Sequence, residues 1–228
     1  MCGIFGIISK TRVDKNNLLF LALHARQRGR DSSGLIYQKN SIYQINRADY
    51  DIKKLISEVK PFESPFVFGH SRLITNGLLD NQPVVRDDVC VIHNGIIVND
   101  LDIWGEIKSE RKLEIDSEVI AAIAAQHLED PNGNLEELPA KVLKLCIGVV
   151  ACAIILPKLG KAVLFSNNGS LYVGKKSGDI YFSSEKFPVS ELKCTEIRQI
   201  QQHSFIIDLP KSNEVRISDN NRCRANLT

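Results

Sequence analysis

The second residue of the chain is a cysteine, and a thiol is a weak nucleophile until a base takes its proton. Cysteine is small enough at this position for Met1 to be removed. Cys2 would then carry its own α-amine, with a pKa of about 8 in model compounds, and nucleophile and base would share one residue. The competing reading of CGIFGI is a buried edge strand whose cysteine is accidental. Further along, Arg28 in RQRGRDSSG (26–34) is a cation able to hold a carboxylate, a carbonyl or a nearby thiolate. Its alternative is a solvated arginine at a helix C-cap.

Arg72 sits in GHSRLITNG (69–77), a Gly-bounded segment suited to bidentate capture of a carboxylate, and Thr75 and Asn76 add short hydrogen-bonding groups. It reads equally as a surface arginine beside a turn. His70 is expected to be packed and hydrogen-bonded rather than catalytic. Gln82 and Pro83 follow, and then HNGIIVN (93–99), where Asn94 and Gly95 place a side-chain amide beside a backbone N–H. Two neutral donors side by side are what an oxyanion hole needs, although Asn-Gly after a strand is more often a hairpin turn. Asp116 is either the N-cap of a helix or a buried anion matched to an ammonium group.

These side chains depend on the elements that carry them. Periodicity predicts a strand at 3–8, then a helix over 14–25 with Leu18, Leu19, Ala22 and Leu23 on one face, ending before Gly29. Strands at 34–38 and 42–46, a helix at 52–59 closed by Pro61, and a strand at 66–70 come next. The apolar run 89–93 suits a strand covered on both faces. Asp116 opens the clearest helix, with Val119, Ile120, Ile123 and Ala124 at helical spacing, and another is expected over 135–145. Beyond Gly148 the chain alternates strands (GVVACAIIL, KAVLFS, SLYVGKK, DIYFSSE, SFIIDL) with turns. Helices between strand-rich ends predict a layered α+β domain with two sheets rather than alternating βαβ units. Residues 2–210 form that domain, and 211–228 read as a polar tail or linker stub.

Composition narrows the function classes. The 228 residues suffice for one substantial core, and 29 Lys and Arg against 27 Asp and Glu leave a net charge of +2, too small for a nucleic-acid or anionic-membrane footprint. The longest apolar run, 146–156, is too short to span a bilayer. No basic residues precede the apolar opening and no small-residue cleavage site follows it, which argues against a secretory signal and for the cytoplasm. The six cysteines form no CxxC pair, so neither a zinc site nor a disulfide framework is expected, and no cofactor is called for.

Taken in order, MCGIFG, RGRDSSG, GHSRLITNG, QPV, HNGIIVN and DSEV resemble the class II glutamine amidotransferase domain, an N-terminal-nucleophile hydrolase found on glucosamine-6-phosphate synthase, amidophosphoribosyltransferase, glutamate synthase and asparagine synthetase. The resemblance implies a four-layer αββα sandwich of two mainly antiparallel sheets. It implies that Cys2 attacks the side-chain amide of L-glutamine, with Asn94 and Gly95 as the oxyanion hole, Arg72 on the α-carboxylate, Thr75 in the same loop and Asp116 on the α-ammonium. Arg28 matches an arginine close to the nucleophile. It also implies an acceptor synthase, separate or fused, that takes the ammonia. Leu73 and Asn76 stand where the glucosamine-6-phosphate synthase version has Trp and His. The sequence alternatives are another N-terminal-cysteine amide hydrolase and a non-catalytic regulatory domain of the same fold.

Overall fold

The structure is a computed structural model that describes residues 2–74, 80–201, 203–210 and 215–222. In chain order it runs β1 (Gly3–Ile8), α1 (Lys15–Arg28), β2 (Ser32–Lys39), β3 (Ile42–Ala48), α2 (Ile52–Val59), β4 (Phe66–Arg72), β5 (Val84–Arg86) and β6 (Val89–Ile97). It continues with α3 (Asp100–Glu106), α4 (Glu118–Glu129), α5 (Leu138–Leu145), β7 (Gly148–Leu156), β8 (Lys161–Ser166), β9 (Tyr172–Lys176) and β10 (Asp179–Ser183). The last elements are α6 (Lys186–Glu191), β11 (Thr195–Gln199), β12 (Phe205–Asp208) and β13 (Arg216–Arg222). The strands form an eight-stranded sheet in the order β11-β9-β10-β1-β4-β2-β3-β13 and a five-stranded sheet in the order β12-β8-β7-β6-β5.

Three apolar clusters show how these elements stack. Along β1 the side chains alternate: Ile4 and Ile8 join a cluster with Ile92, Ala153 and Leu164 of the smaller sheet, whereas Phe5 and Ile7 join Leu18 and Leu21 of α1 and Leu55 of α2. A period of two over a continuously buried strand therefore feeds two different interfaces. On the far side of the smaller sheet, Val91, Cys152, Ile154 and Phe165 pack against Val119, Ile120 and Ile123 of α4. The result is four layers in the order helices, eight-stranded sheet, five-stranded sheet, helices, the expected α+β sandwich. Every strand pair is antiparallel except β13 with β3.

Several details differ from the sequence reading. The buried face of α1 is Leu18, Leu21, Ala22 and Ala25, while Leu23 is 43% exposed. Both sets have helical spacing, and contact with β1 decides between them. Asp14 caps this helix by accepting from the Asn17 N–H at 2.8 Å. Residues 216–222, expected within a polar tail, instead add a parallel edge strand to β3, with Ile217 opposite Tyr43 and Asp219 opposite Ile45. An edge ladder is made by backbone groups, so it leaves no apolar alternation in the sequence to detect. The short elements α3, β5, α6 and β11 were likewise not signalled.

Candidate active site

Cys2 lies at the start of β1, 9% exposed, on the wall of a cavity of about 200 Å³ shared with Asn94, Gly95, Ile96, Val149, Asn168 and Ser170. Its backbone nitrogen donates to Asn94 Oδ1 at 3.1 Å, and its Sγ lies 3.7 Å from the Leu73 carbonyl oxygen. Arg28 Nε donates to the Cys2 carbonyl at 2.7 Å while its Nη1 pairs with Glu185 at 2.9 Å. The solvated helix-cap reading of Arg28 is thus replaced by a tether between the end of α1 and the cysteine's own backbone. On the other flank, the N–H of Ile4 donates to Ser184 Oγ at 2.9 Å, and the Ile4 carbonyl accepts from the Ser184 N–H. The first strand is therefore anchored at the Cys2 carbonyl and again at Ile4, two residues on.

Asn94 and Gly95 do not form a hairpin turn. They lie within β6, which runs on past His93 and pairs through them with Ala151 and Val150 of β7. The Cβ of any other residue at 95 would fall 1.7 Å from the Val149 carbonyl oxygen, so close backbone approach requires glycine there. The pairing also sets where the Gly95 N–H points. Val150, opposite Gly95, spends both its backbone groups on Asn167, donating to Oδ1 and accepting from the N–H, each at 2.9 Å. Hydrogen-bonded and non-hydrogen-bonded pairs alternate along an antiparallel ladder, so the N–H groups of His93, Gly95 and Ile97 all point away from β7. The first donates to Gln82 Oε1 at 2.6 Å and the third to Asp116 Oδ2 at 2.8 Å. No acceptor among the described residues meets the middle one, and no hydrogen bond among them uses Asn94 Nδ2. A thiol and two uncommitted donors thus belong to residues of one cavity.

The two charged candidates, both buried, are not among the residues that line this cavity. Arg72, at the end of β4, is 2% exposed; its Nη1 donates to the Asp80 carbonyl and to Asn81 Oδ1. Burial lowers its pKa, and Cys2, Asp116, Asp80 and Asp31 oppose that. A guanidinium keeps its charge under such a balance. Asp116 is 4% exposed and does not act as the helix N-cap, since its carboxylate accepts from Ile97 N–H and lies 3.3 Å from Ser117 Oγ. Arg72 and Asp116 both act electrostatically on the Cys2 thiol. Thr75, the remaining candidate, lies outside the described residues.

Burial pushes the Cys2 thiol above its ordinary value of 9.0, with Arg72 pulling it down and Asp116 pushing it up. While Met1 is attached, alkylation of Cys2 by iodoacetamide should therefore be slow at pH 7 and should quicken about tenfold per pH unit to beyond pH 9. Labelling rates corrected with a Cys2→Ala control check this, and a plateau reached below pH 8 contradicts it.

Sequence reasoning missed the remaining walls of the cavity: Ile96, Val149, Asn168 and Ser170. The cluster NNGS at 167–170 marks a turn but gives no sign that the turn faces a cysteine 165 positions away. His70 is completely buried as expected, yet neither ring nitrogen has a hydrogen-bond partner among the described residues. Cys90, Cys146, Cys152 and Cys194 are buried as packing residues, and Cys223 lies outside the described residues. Among the described residues no cluster of His, Cys, Asp and Glu could hold a metal ion, and no helix is long and apolar enough to cross a membrane.

A family model described as "Glutamine amidotransferase domain" matches residues 70–190, more than half of the chain. The chain belongs to the glutamine amidotransferase domain family. The matched stretch of this amidotransferase domain holds Arg72, Asn94, Gly95 and Asp116 but not Cys2 or Arg28. Proteins named glutamine–fructose-6-phosphate aminotransferase [isomerizing] are among its relatives: that of Rhizobium meliloti is 29% identical over 194 residues, covering 81% of this chain and 32% of the relative. The Campylobacter jejuni protein of the same name is 28% identical over 217 residues, covering 90% and 36%. The amidotransferase domain thus spans about a third of the length of these curated relatives.

Among solved structures, glutamine phosphoribosylpyrophosphate amidotransferase from B. subtilis superposes with a TM-score of 0.73 at 18% identity, over 91% of this chain and 47% of that one. A glutamine aminotransferase class-II domain protein from Silicibacter pomeroyi gives 0.54 at 15% identity, over 92% of this chain and 100% of that one. At these identities the likeness establishes the fold, that of the class II, N-terminal-nucleophile amidotransferases.

Proposed function

We propose that this domain hydrolyses L-glutamine to glutamate and ammonia through a thioester on Cys2. The observation that carries the reading is the 3.1 Å contact from the Cys2 nitrogen to Asn94 Oδ1, because it fixes the future α-amine beside the side chain whose other atom, Nδ2, is left to donate. Once Met1 is removed, that amine takes the thiol proton as Sγ attacks the carboxamide carbon. The carbonyl oxygen becomes an oxyanion between Asn94 Nδ2 and the Gly95 N–H. Collapse breaks the C–N bond, the proton held on the amine leaves with the nitrogen as ammonia, and the acyl group stays on sulfur. Water then attacks the thioester with the amine as base, glutamate departs and the thiol is restored.

Specificity for free glutamine rests on Arg72 for the α-carboxylate, with Thr75 in the adjoining segment, and on Asp116 for the α-ammonium. Arg28 supports the nucleophile through its 2.7 Å bond to the Cys2 carbonyl. The catalytic residues of this reading all lie within 2–210, with the edge strand 216–222 completing the sheet, and the unit works in the cytoplasm without a cofactor and hands ammonia to an acceptor synthase, fused or separate. A pocket for an acylated hydrophobic amide would have little use for a buried cation and anion beside the thiol, which favours the amino-acid substrate.

The test is glutamate release by the Met-processed protein, with the acceptor supplied, compared with Cys2→Ala. Turnover should vanish in the variant and a diazo-ketone glutamine analogue should label only the intact cysteine. Equal behaviour of the two proteins would end the proposal.

A further inference from the structure

Gln82 stands in the sequence between Arg72 and Asn94 with no chemistry assigned to it, yet its side chain is 4% exposed and fully engaged. Its Oε1 accepts from the His93 N–H at 2.6 Å, and its Nε2 donates to the His93 carbonyl at 3.0 Å and to Ser117 Oγ at 3.2 Å. The pairing of Val84 with Val91 shows why this happens. Extended by two residues, the same register puts Gln82 opposite His93; extended by two more, it puts Asp80 opposite Gly95. The backbone of β5 does not follow β6 that far. The Gln82 carbonyl packs so close to β2 that a Cβ on Gly34 would lie 1.8 Å from it. The side-chain amide of Gln82 therefore makes the donor–acceptor pair that a neighbouring strand would have made.

At the next step there is no substitute. The Asp80 carboxylate is occupied by the N–H groups of Glu114 and Ile115, and its carbonyl by Arg72. Among the described residues the outward N–H row of β6 is thus closed at His93 by Gln82, open at Gly95 and closed again at Ile97 by Asp116. Ser117 joins the two closures: its Oγ meets Gln82 Nε2, His93 Nδ1 at 2.9 Å and Asp116 Oδ1. His93 is neutral because burial lowers its pKa. With Nε2 facing the Val149 carbonyl at 3.1 Å, the ring proton is assigned to Nε2, and Nδ1 at 2.9 Å takes the single hydroxyl proton of Ser117, so the 3.3 Å approach of that hydroxyl to Asp116 Oδ1 is a polar contact and not a second donation.

We infer that Gln82 and Ser117 are positioning residues that hold the Gly95 N–H and the Asp116 carboxylate in fixed relation to each other. Neither touches the reacting atoms. Gln82 ends the sheet one step before the donor, keeping the edge straight while leaving that donor unpaired among the described residues, and Ser117, bonded to Gln82 and next to Asp116 in the chain, passes the constraint to the group proposed to receive the substrate's ammonium. The inference rests on the glutaminase reading for its catalytic consequence, whereas its structural consequence stands apart from activity.

Gln82→Met keeps the volume and deletes both hydrogen-bonding groups. Backbone amide exchange, measured residue by residue on the full chain, should show His93 losing protection at least tenfold while Cys90 and Ile92, bonded to β7, keep theirs. In the Met-processed protein, kcat for glutamine should fall at least tenfold with KM changing less. Reaction of Cys2 with methyl methanethiosulfonate, which forms no oxyanion, should stay within twofold. Ser117→Ala should give a similar loss, and the double variant much less than the product of the two, because both act on one ring of contacts. Unchanged exchange at His93, turnover within twofold of the parent, or a parallel fall in the disulfide-forming reaction would overturn the inference. A parent protein that released no glutamate would instead sink the glutaminase reading, and the exchange result would still decide the role of Gln82 in the strand.

Discussion

Asn94→Asp is expected to lower kcat for glutamine by roughly 10²–10³ while leaving the protein about as stable as its parent. The side chain has two separable duties. Oδ1 accepts from the Cys2 nitrogen at 3.1 Å, and an aspartate can do the same. Nδ2 is the atom uncommitted among the described residues, and in aspartate its place is taken by a second carboxylate oxygen that repels a developing oxyanion. The isosteric change therefore keeps the anchor and reverses the sign of the catalytic contact. Asn94→Ala removes both, leaving the buried Cys2 nitrogen unpaired at a cost of about 1–3 kcal/mol. Urea unfolding together with steady-state kinetics separates the cases: the aspartate variant should lose rate alone, the alanine variant rate and stability. An aspartate variant with more than a tenth of parental kcat would remove Asn94 from the oxyanion site.

How far this site was legible in the sequence follows from what each residue does. Cys2, Asn94 and Gly95, which the structure brings to one cavity, could be named as candidates because the chemistry proposed for them depends on residue type: a thiol beside an amine, an amide, and a glycine that admits a neighbouring carbonyl. Arg72 and Asp116 could be named by their charge but not placed, since long-range pairing decides whether such groups reach solvent, line a cavity or stand behind it. The hairpin expected at Asn94 was displaced by tertiary pairing with β7, which keeps the strand straight through a dipeptide that favours turning when isolated. The two-sheet sandwich was readable because its strands carry alternating or continuous apolar runs that must be covered. The strand over 216–222 and the role of Gln82 were not, because each depends on backbone or amide hydrogen bonds that become defined only when a partner distant in sequence is in register.

His70 should make the fold acid-sensitive. Replacing it with leucine is expected to flatten the dependence of stability on pH. The ring lies on β4 between Ile4 of β1 and Gly34 of β2, wholly buried and without a hydrogen-bond partner among the described residues. Burial pushes its pKa down to about 3 from 6.5, helped by the charge of Arg72 and by His93 and opposed only weakly by the His93 backbone. Above pH 6.5 the ring is neutral in both folded and unfolded chains, so no stability is lost. Below it the unfolded chain binds a proton that the folded chain refuses, and stability falls continuously until the folded pKa is reached. With 1.36 kcal/mol per pH unit, the loss from this group is roughly 3 kcal/mol by pH 4.

His70→Leu should match the parent at pH 7 to within about 1.5 kcal/mol, because no hydrogen bond of normal geometry joins the ring to a described residue and the leucine forfeits at most a weak contact with the His93 backbone. Its unfolding free energy should then decline less between pH 7 and pH 4, the remaining slope including that of His93, whose pKa burial also lowers. Urea titrations of both proteins at the two pH values measure this, and equal slopes would refute it.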